Sequence, residues 1–117
     1  MQEIIDEYAY TESAIFAIAL SELLNTVVTR VTAYELPVHS CCTYRNLYLD
    51  AYGLSTEEQL IKRSCPDLQN QIISIKKVVV KNDYLKRYTT QEIEQARAAA
   101  VKLVNHLKLT PIPKHSI

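Results

Sequence analysis

The residues whose types could support chemistry are few and scattered. His39, Cys41, Cys42 and Cys65 form the only group with metal-ligand character at close spacing. On a helix, His39 and Cys42 would lie three residues apart on one side. Cys65 would then have to arrive from a neighbouring element to complete the three protein ligands of an open zinc site. No Cys-x-x-Cys pair supports such a site. Free cysteine commonly serves as a small buried hydrophobe, so the expectation is no metal and no cofactor. A Cys–His nucleophile pair built on His39 or His106 has no spacing that would place it. The carboxylates Glu3, Asp6 and Glu7 with Glu22, or Glu57 and Glu58 with Glu92, are accounted for by helix starts and solvent exposure. With no triad, phosphate loop or paired metal-binding carboxylates, no catalytic residue is assigned and the chain is expected not to be an enzyme.

Two further constellations point to binding. Tyr44, Tyr48 and Tyr52 recur every four residues, which on a helix makes one ridge. Such a ridge either packs half-buried against a neighbour or serves as a protein interface, where tyrosine offers large contact area at small entropic loss. These three are the candidate partner-binding residues. Lys76, Lys77, Lys81, Lys86 and Arg87, with Tyr84 and Tyr88 interleaved, are the densest part of a basic group that also includes Lys62 and Arg63. Cations beside stacking rings are what RNA or single-stranded DNA binding requires, and this is the alternative reading.

Charge is distributed unevenly although its sum is zero. Residues 1–60 hold nine acids against two bases, and residues 61–117 hold four acids against eleven bases, so the halves carry −7 and +7. Halves of opposite sign either fold together and screen each other or expose a basic face to an acidic partner. The sequence pI near 6.8 falls short of the strongly basic character of most nucleic-acid-binding domains.

The elements that must position these residues come from a chain of 117 residues that is 48% hydrophobic and 22% charged. That describes one ordinary globular domain and excludes disorder, collagen-like repeats and a disulfide scaffold. A single glycine counts against folds that depend on tight turns, including β-sandwiches, Greek-key barrels, P-loops and dinucleotide loops. Three cysteines cannot all pair within one chain, and free thiols fit a reducing cytoplasm. Acidic residues at 3, 6 and 7 have the wrong sign for a secretory leader. The apolar stretch 13–31 is interrupted by Glu22 and Asn25, so no membrane span is expected.

Periodicity predicts five helices. The first, over residues 11–35, takes Thr11 as its N-cap and is buried on most sides around residues 14–20. A second follows Pro37 to residue 52, closed by Gly53 as a left-handed cap. A capping box at Ser55-Thr56-Glu57-Glu58 opens a short third, and Pro66 opens a fourth on which Leu68, Ile72, Ile75 and Val79 repeat. Residues 77–88 read either as the end of that helix and a loop or as a small hairpin about Asn82-Asp83. Thr89-Thr90-Gln91-Glu92 opens the last helix, whose apolar face is Ile93, Ala96, Ala100, Leu103, Val104 and Leu107. The prolines at 111 and 113 end it.

The order of features over residues 44–107 resembles HEPN-type helical domains. It comprises a helix with Arg45, a capped short helix, the run 68–80, a charged Asn82-Asp83 break and Thr90-x-Glu92 opening an Ala-rich final helix. The resemblance implies a four- to five-helix bundle, often dimeric, of the kind found in toxin–antitoxin, defence and RNA-processing systems. Active members carry Arg, four to six residues, then His. Here Arg30 to His39 and Arg97 to His106 are both too far apart, so the resemblance implies a chain without ribonuclease activity.

The expected fold is therefore all-α: a single-domain antiparallel bundle of four to five helices over residues 1–110, with an extended tail over 111–117. Ala14, Ile18, Leu24, Val28, Leu68, Ile72, Ile75, Leu103 and Leu107 should be buried together. The expected function is a non-enzymatic protein-interaction module. A helix as apolar as residues 14–20 calls for cover that a second copy could supply, so a homodimer is expected.

Overall fold

The computed structural model describes residues 1–10, 12–66, 73–78 and 84–113. Helices α1 (Gln2–Tyr8) and α2 (Ser13–Leu24) lead into strands β1 (Val28–Ala33), β2 (Leu36–Tyr44), β3 (Leu47–Asp50) and β4 (Gly53–Ser55). Helix α3 (Glu57–Ser64), strand β5 (Ile73–Lys77), a 3-10 turn (Tyr84–Arg87) and helix α4 (Thr90–Leu107) follow. The strands form one sheet in the order β4-β3-β2-β1-β5, and every adjacent pair is antiparallel.

This sheet overturns the all-α bundle, and with it the HEPN resemblance. The expected helix 11–35 stops at Leu24, where Asn25 takes the left-handed conformation (φ 55°) and its N–H caps the Ser21 carbonyl. Beyond that cap, Val27, Val28, Thr29, Val31 and Thr32 are β-branched, and such side chains suit a pleated surface better than a helix. The expected helix 37–52 is β2 and β3. Pro37 is tolerated in a strand because the register shifts there: Val31 pairs with His39 but Thr32 with Pro37, leaving Val38 as the extra residue of a bulge. Gly53 caps no helix; at φ 105° it opens β4 after the Ala51–Tyr52 turn.

Ile75 lies on edge strand β5, not on a helix. Leu68, Ile72, Val79, the Asn82-Asp83 break and the Thr11 cap lie outside the described residues. Neither form expected for residues 77–88 matches what is described of them, the end of β5 and a 3-10 turn. The two capped helices fare better. In α4 the Thr89 hydroxyl accepts from the Glu92 amide while the Glu92 carboxylate accepts from the Thr89 amide, as expected. The α3 box forms one residue later than expected, on Thr56 and Gln59.

The sheet has two covered faces. On one, α1, α2 and α4 bury Phe16, Leu20, Leu24, Leu49, Ala100 and Leu103 in one cluster, with Tyr8 stacked on Phe16 at 4.7 Å. A smaller cluster of Ala17, Ile18 and Val28 meets Tyr84 and Leu85 of the 3-10 turn. On the other face, Leu60 of α3 closes over Val31, Ala33, Cys41 and Cys65. The residues expected to be buried together are thus divided among three clusters, with Ala14, Ile75 and Leu107 only half-buried.

Residues 15–20 of α2 are covered by the sheet and the other helices of the same chain. They therefore need no second copy to cover them. The chain after α4 returns to the end of α2: the Ile112 amide donates to the Leu24 carbonyl at 2.8 Å, and Asn25 Nδ2 donates to the Ile112 carbonyl at 3.0 Å.

Candidate functional site

Where β2, β3 and α3 meet, the fold buries a charged network. The bulge at Val38 brings His39 opposite Val31, so its ring lies on the α3 face with Cys41. Asp50 ends β3 on that same face, because its neighbour Leu49 turns into the large cluster opposite. The Tyr52 amide donates to Asp50 Oδ1 at 2.9 Å, the short-range bond by which an Asp shapes its own turn. From the last turn of α3, Arg63 Nη2 donates to Asp50 Oδ2 at 3.2 Å and to Ser55 Oγ at 2.8 Å. His39 Nε2 lies 2.8 Å from Asp50 Oδ2. A carboxylate only accepts, so Nε2 carries the shared proton.

Asp50 is 3% exposed. Burial pushes its carboxyl pKa up, but the His39 hydrogen bond and charge, the Arg63 guanidinium and the Tyr52 amide outweigh that, leaving the group below its ordinary value. At neutral pH the site thus holds a buried anion with its partners in place, the condition under which a buried charge is tolerated.

The network forms one wall of a cleft of about 290 Å³. His39, Arg63 and Ser64 provide its polar lining, and Ala9, Tyr10, Val38 and Tyr52 the rest. The Arg63 guanidinium stacks over the Tyr52 ring at 4.6 Å. The Tyr10 and Tyr52 hydroxyls lie 2.8 Å apart, and that hydrogen bond, with burial, raises the Tyr52 phenol above its usual range. Among the described residues, neither Arg63 Nε and Nη1 nor His39 Nδ1 has a hydrogen-bond partner. No buried side-chain nitrogen or oxygen is left without a partner there either. The Asp50 carboxylate is buried, whereas the Arg63 side chain keeps 30% of its surface in solvent.

The expected tyrosine ridge does not exist, because the three residues are not on a helix. Tyr44 is buried in the large cluster, its hydroxyl donating to the Thr110 carbonyl at 3.0 Å. Tyr48 packs on the opposite face beside Leu60. Tyr52 alone stands at the cleft. The suggested metal group is also divided, since Cys42 turns to the large cluster while His39, Cys41 and Cys65 lie on the other face. No cluster of three metal-ligating side chains occurs among the described residues. All three cysteines are free and buried, and burial pushes the Cys41 thiol up to about 12 and raises Cys42 and Cys65 as well.

The described members of the basic group are spread over three places, Lys62 and Arg63 being in the last turn of α3. Lys76 and Lys77 are exposed on β5, paired with Arg30 and Thr29 of β1, so Lys76 stands directly opposite another cation. Lys86 and Arg87 are exposed on the 3-10 turn, with Arg87 over the Tyr84 ring at 5.0 Å and the Tyr84 and Tyr88 rings 6.0 Å apart. Both tyrosines are half-buried against core clusters. Lys81 lies outside the described residues. Elsewhere the oppositely charged halves meet in Arg97–Glu22 and Lys102–Glu3 pairs at 3.3 and 3.7 Å.

In the sequence His39 reads as a metal-ligand type and Arg63 as one of a group of bases, and nothing there singles out Asp50 or Tyr10. The Asp50-x-Tyr52-Gly53 turn signature was the one local signal that could have marked a hairpin end there. No helix among the described residues is long and apolar enough to cross a membrane. No protein-family model, curated protein or solved structure matches the chain.

Proposed function

We propose that the chain is a non-enzymatic protein-interaction module that self-associates through the end of the sheet where the β1–β2 hairpin and the cleft lie together. One observation carries this reading. Tyr10, Tyr34, Leu36, Val38 and Tyr52 are 72%, 58%, 68%, 42% and 38% exposed, and all belong to that end of the molecule. Exposed apolar side chains are unremarkable singly, but a group bordering a cleft has the aromatic and aliphatic character of an interface centre. Backbone strain adds to it. Tyr34 and Glu35, the two turn residues of the hairpin, both have positive φ (53° and 65°) without being glycine. Strained turns of this kind concentrate at functional surfaces.

Sedimentation at micromolar to millimolar concentration tests the reading. Self-association that Leu36→Ser weakens, with unchanged thermal stability, supports it. A monomer throughout that range overturns it.

The alternative, RNA or single-stranded DNA binding, draws support from the Arg30–Lys76 pair, since like charges facing each other across strands are destabilising until an anion joins them. Binding with a log–log salt slope of about −0.7 per phosphate contact would favour that reading. Three free, buried cysteines fit a reducing compartment, and the cytoplasm is the proposed location.

A further inference from the structure

We propose that the outer edge of β5 docks an extended acidic peptide of another protein, which joins the sheet as a further strand. Strand β5 ends the strand order and pairs with β1 alone. The Val78 amide donates to the Val28 carbonyl at 2.8 Å. In an antiparallel pair, hydrogen-bonded and non-bonded positions alternate, so Lys76 facing Arg30 and Ser74 facing Thr32 are the bonded ones. The N–H and C=O groups of Ile73, Ile75 and Lys77 then point away from β1, and no other backbone group pairs with them among the described residues. Other open backbone in the sheet is blunted. Strand β4 is only Gly53–Ser55. Before Cys42, β2 presents Pro37, which has no N–H, the bulge at Val38, and a Ser40 amide already donating to Ser13 Oγ at 3.2 Å. Short strands, prolines and bulges of this kind keep edges from pairing. Ile73–Lys77 is guarded by its lysines alone, and lysine repels a basic strand while admitting an acidic one.

Side chains directly opposite across an antiparallel pair share a face of the sheet. Ile73 and Ile75 are half-buried against the α3-face cluster, so apolar residues opposite them would extend that cluster. Lys77 continues the same face, and Lys76 lies on the other, across from Arg30. Lys76 and Lys77 are exposed, and none of these three cations makes an ion pair among the described residues. Carboxylates opposite Lys76 and Lys77 convert that like-charge seam into an attractive one. Read antiparallel to β5, the complementary strand is therefore acidic, acidic, apolar, polar, apolar. Its main chain supplies affinity and its alternate side chains supply specificity. A second copy pairing through its own β5 would bring more lysines to the seam. A single-stranded nucleic acid would meet the lysines but leave the outward amides and carbonyls of β5 without strand partners.

The test titrates the whole chain with a peptide carrying Glu-Glu-Val-Thr-Val at its centre and follows backbone amides by proton–nitrogen spectra and hydrogen exchange. The expected result is slowed exchange at Ile73, Ile75 and Lys77, with Ser74 and Lys76, already bonded to β1, unchanged. Methylating the amide nitrogen of the central Val, which faces Ile75, should abolish binding, and methylating that of the Thr should not, because it points away from β5. The double variant Lys76→Glu, Lys77→Glu should bind about tenfold more weakly, since two attractive pairs become repulsive. Both positions are exposed, and a thermal melt checks that the variant is folded. A Lys-Lys-Val-Thr-Val peptide should bind the double variant better than the wild type. No amide response at millimolar peptide overturns the inference. So does binding that is indifferent to the methylated Val, displacement of the peptide by a single-stranded DNA oligomer at lower concentration, or dilution-dependent shifts of the same amides without peptide, which would mean that β5 pairs with itself.

Discussion

The two faces of the sheet solve burial in different ways. Beneath α1, α2 and α4 the contacts are dry and apolar, with Phe16, Leu20, Leu24 and Leu49 all at 1% exposure or less. Beneath α3 the apolar cluster is small, and beside it the chain buries Asp50 with His39 and Arg63. Hydrophobic burial is non-directional and tolerates rearrangement, whereas a buried anion demands each partner at its own distance. The large face therefore supplies most of the stability, and the small face holds a geometry.

The largest effect should come from breaking the large face. Phe16→Ala removes a ring that is fully buried and stacked on Tyr8, and denaturant titration should show a loss of about 3–5 kcal/mol. The cleft donors would keep their arrangement in whatever fraction remains folded.

Asp50→Asn should cost less, about 2–3 kcal/mol, because Arg63 keeps 30% of its side chain in solvent and can turn outward once its partner is neutral. The pH dependence sharpens the contrast. Folded Asp50 holds its proton less tightly than the unfolded chain does. Its contribution is therefore fully present above the unfolded carboxyl value of about 3.9 and drains away as the pH falls through the lower folded value. Acid titration of stability should be steeper below pH 4 in wild type than in Asp50→Asn, and equal slopes would remove Asp50 from its assigned role.

The smallest effect concerns the thiols on either side of the sheet. Cys41 faces the small cluster and Cys42 the large one, and burial keeps both protonated at neutral pH. Iodoacetamide at pH 7.5 should leave both unmodified in the native protein and label them promptly in denaturant. Rapid native labelling of Cys41 alone would mean that the α3 face opens more readily than the α2 face.

Legibility in the sequence was greatest where structure is local. The final helix was visible through its Thr89/Glu92 box and the spacing of Ala96, Ala100 and Leu103, because capping and helical periodicity act within a few residues. The hairpins are hard to read because residues that seldom mark turns take the left-handed positions of the first two. Tyr34, Glu35 and Arg45 adopt positive φ where glycine or asparagine would ordinarily signal a turn. The four-residue spacing of Tyr44, Tyr48 and Tyr52 then suggested a ridge that the strands divide. Of the site, the sequence shows His39 only as a metal-ligand type and Arg63 only as one of a group of bases.

The amino-acid order alone determined the free thiols, the balanced charge, the apolar run that became α2 and the two capped helices. Tertiary structure decided the sheet and the site. Each left-handed residue at a hairpin turn costs about 1–2 kcal/mol locally, and only pairing and burial of the strands on both sides can offset that. His39 meets Asp50 across 11 residues, and Arg63 meets it across 13. Strand register, a bulge at Val38 and the placement of α3 set those separations, and no short-range pattern carries them.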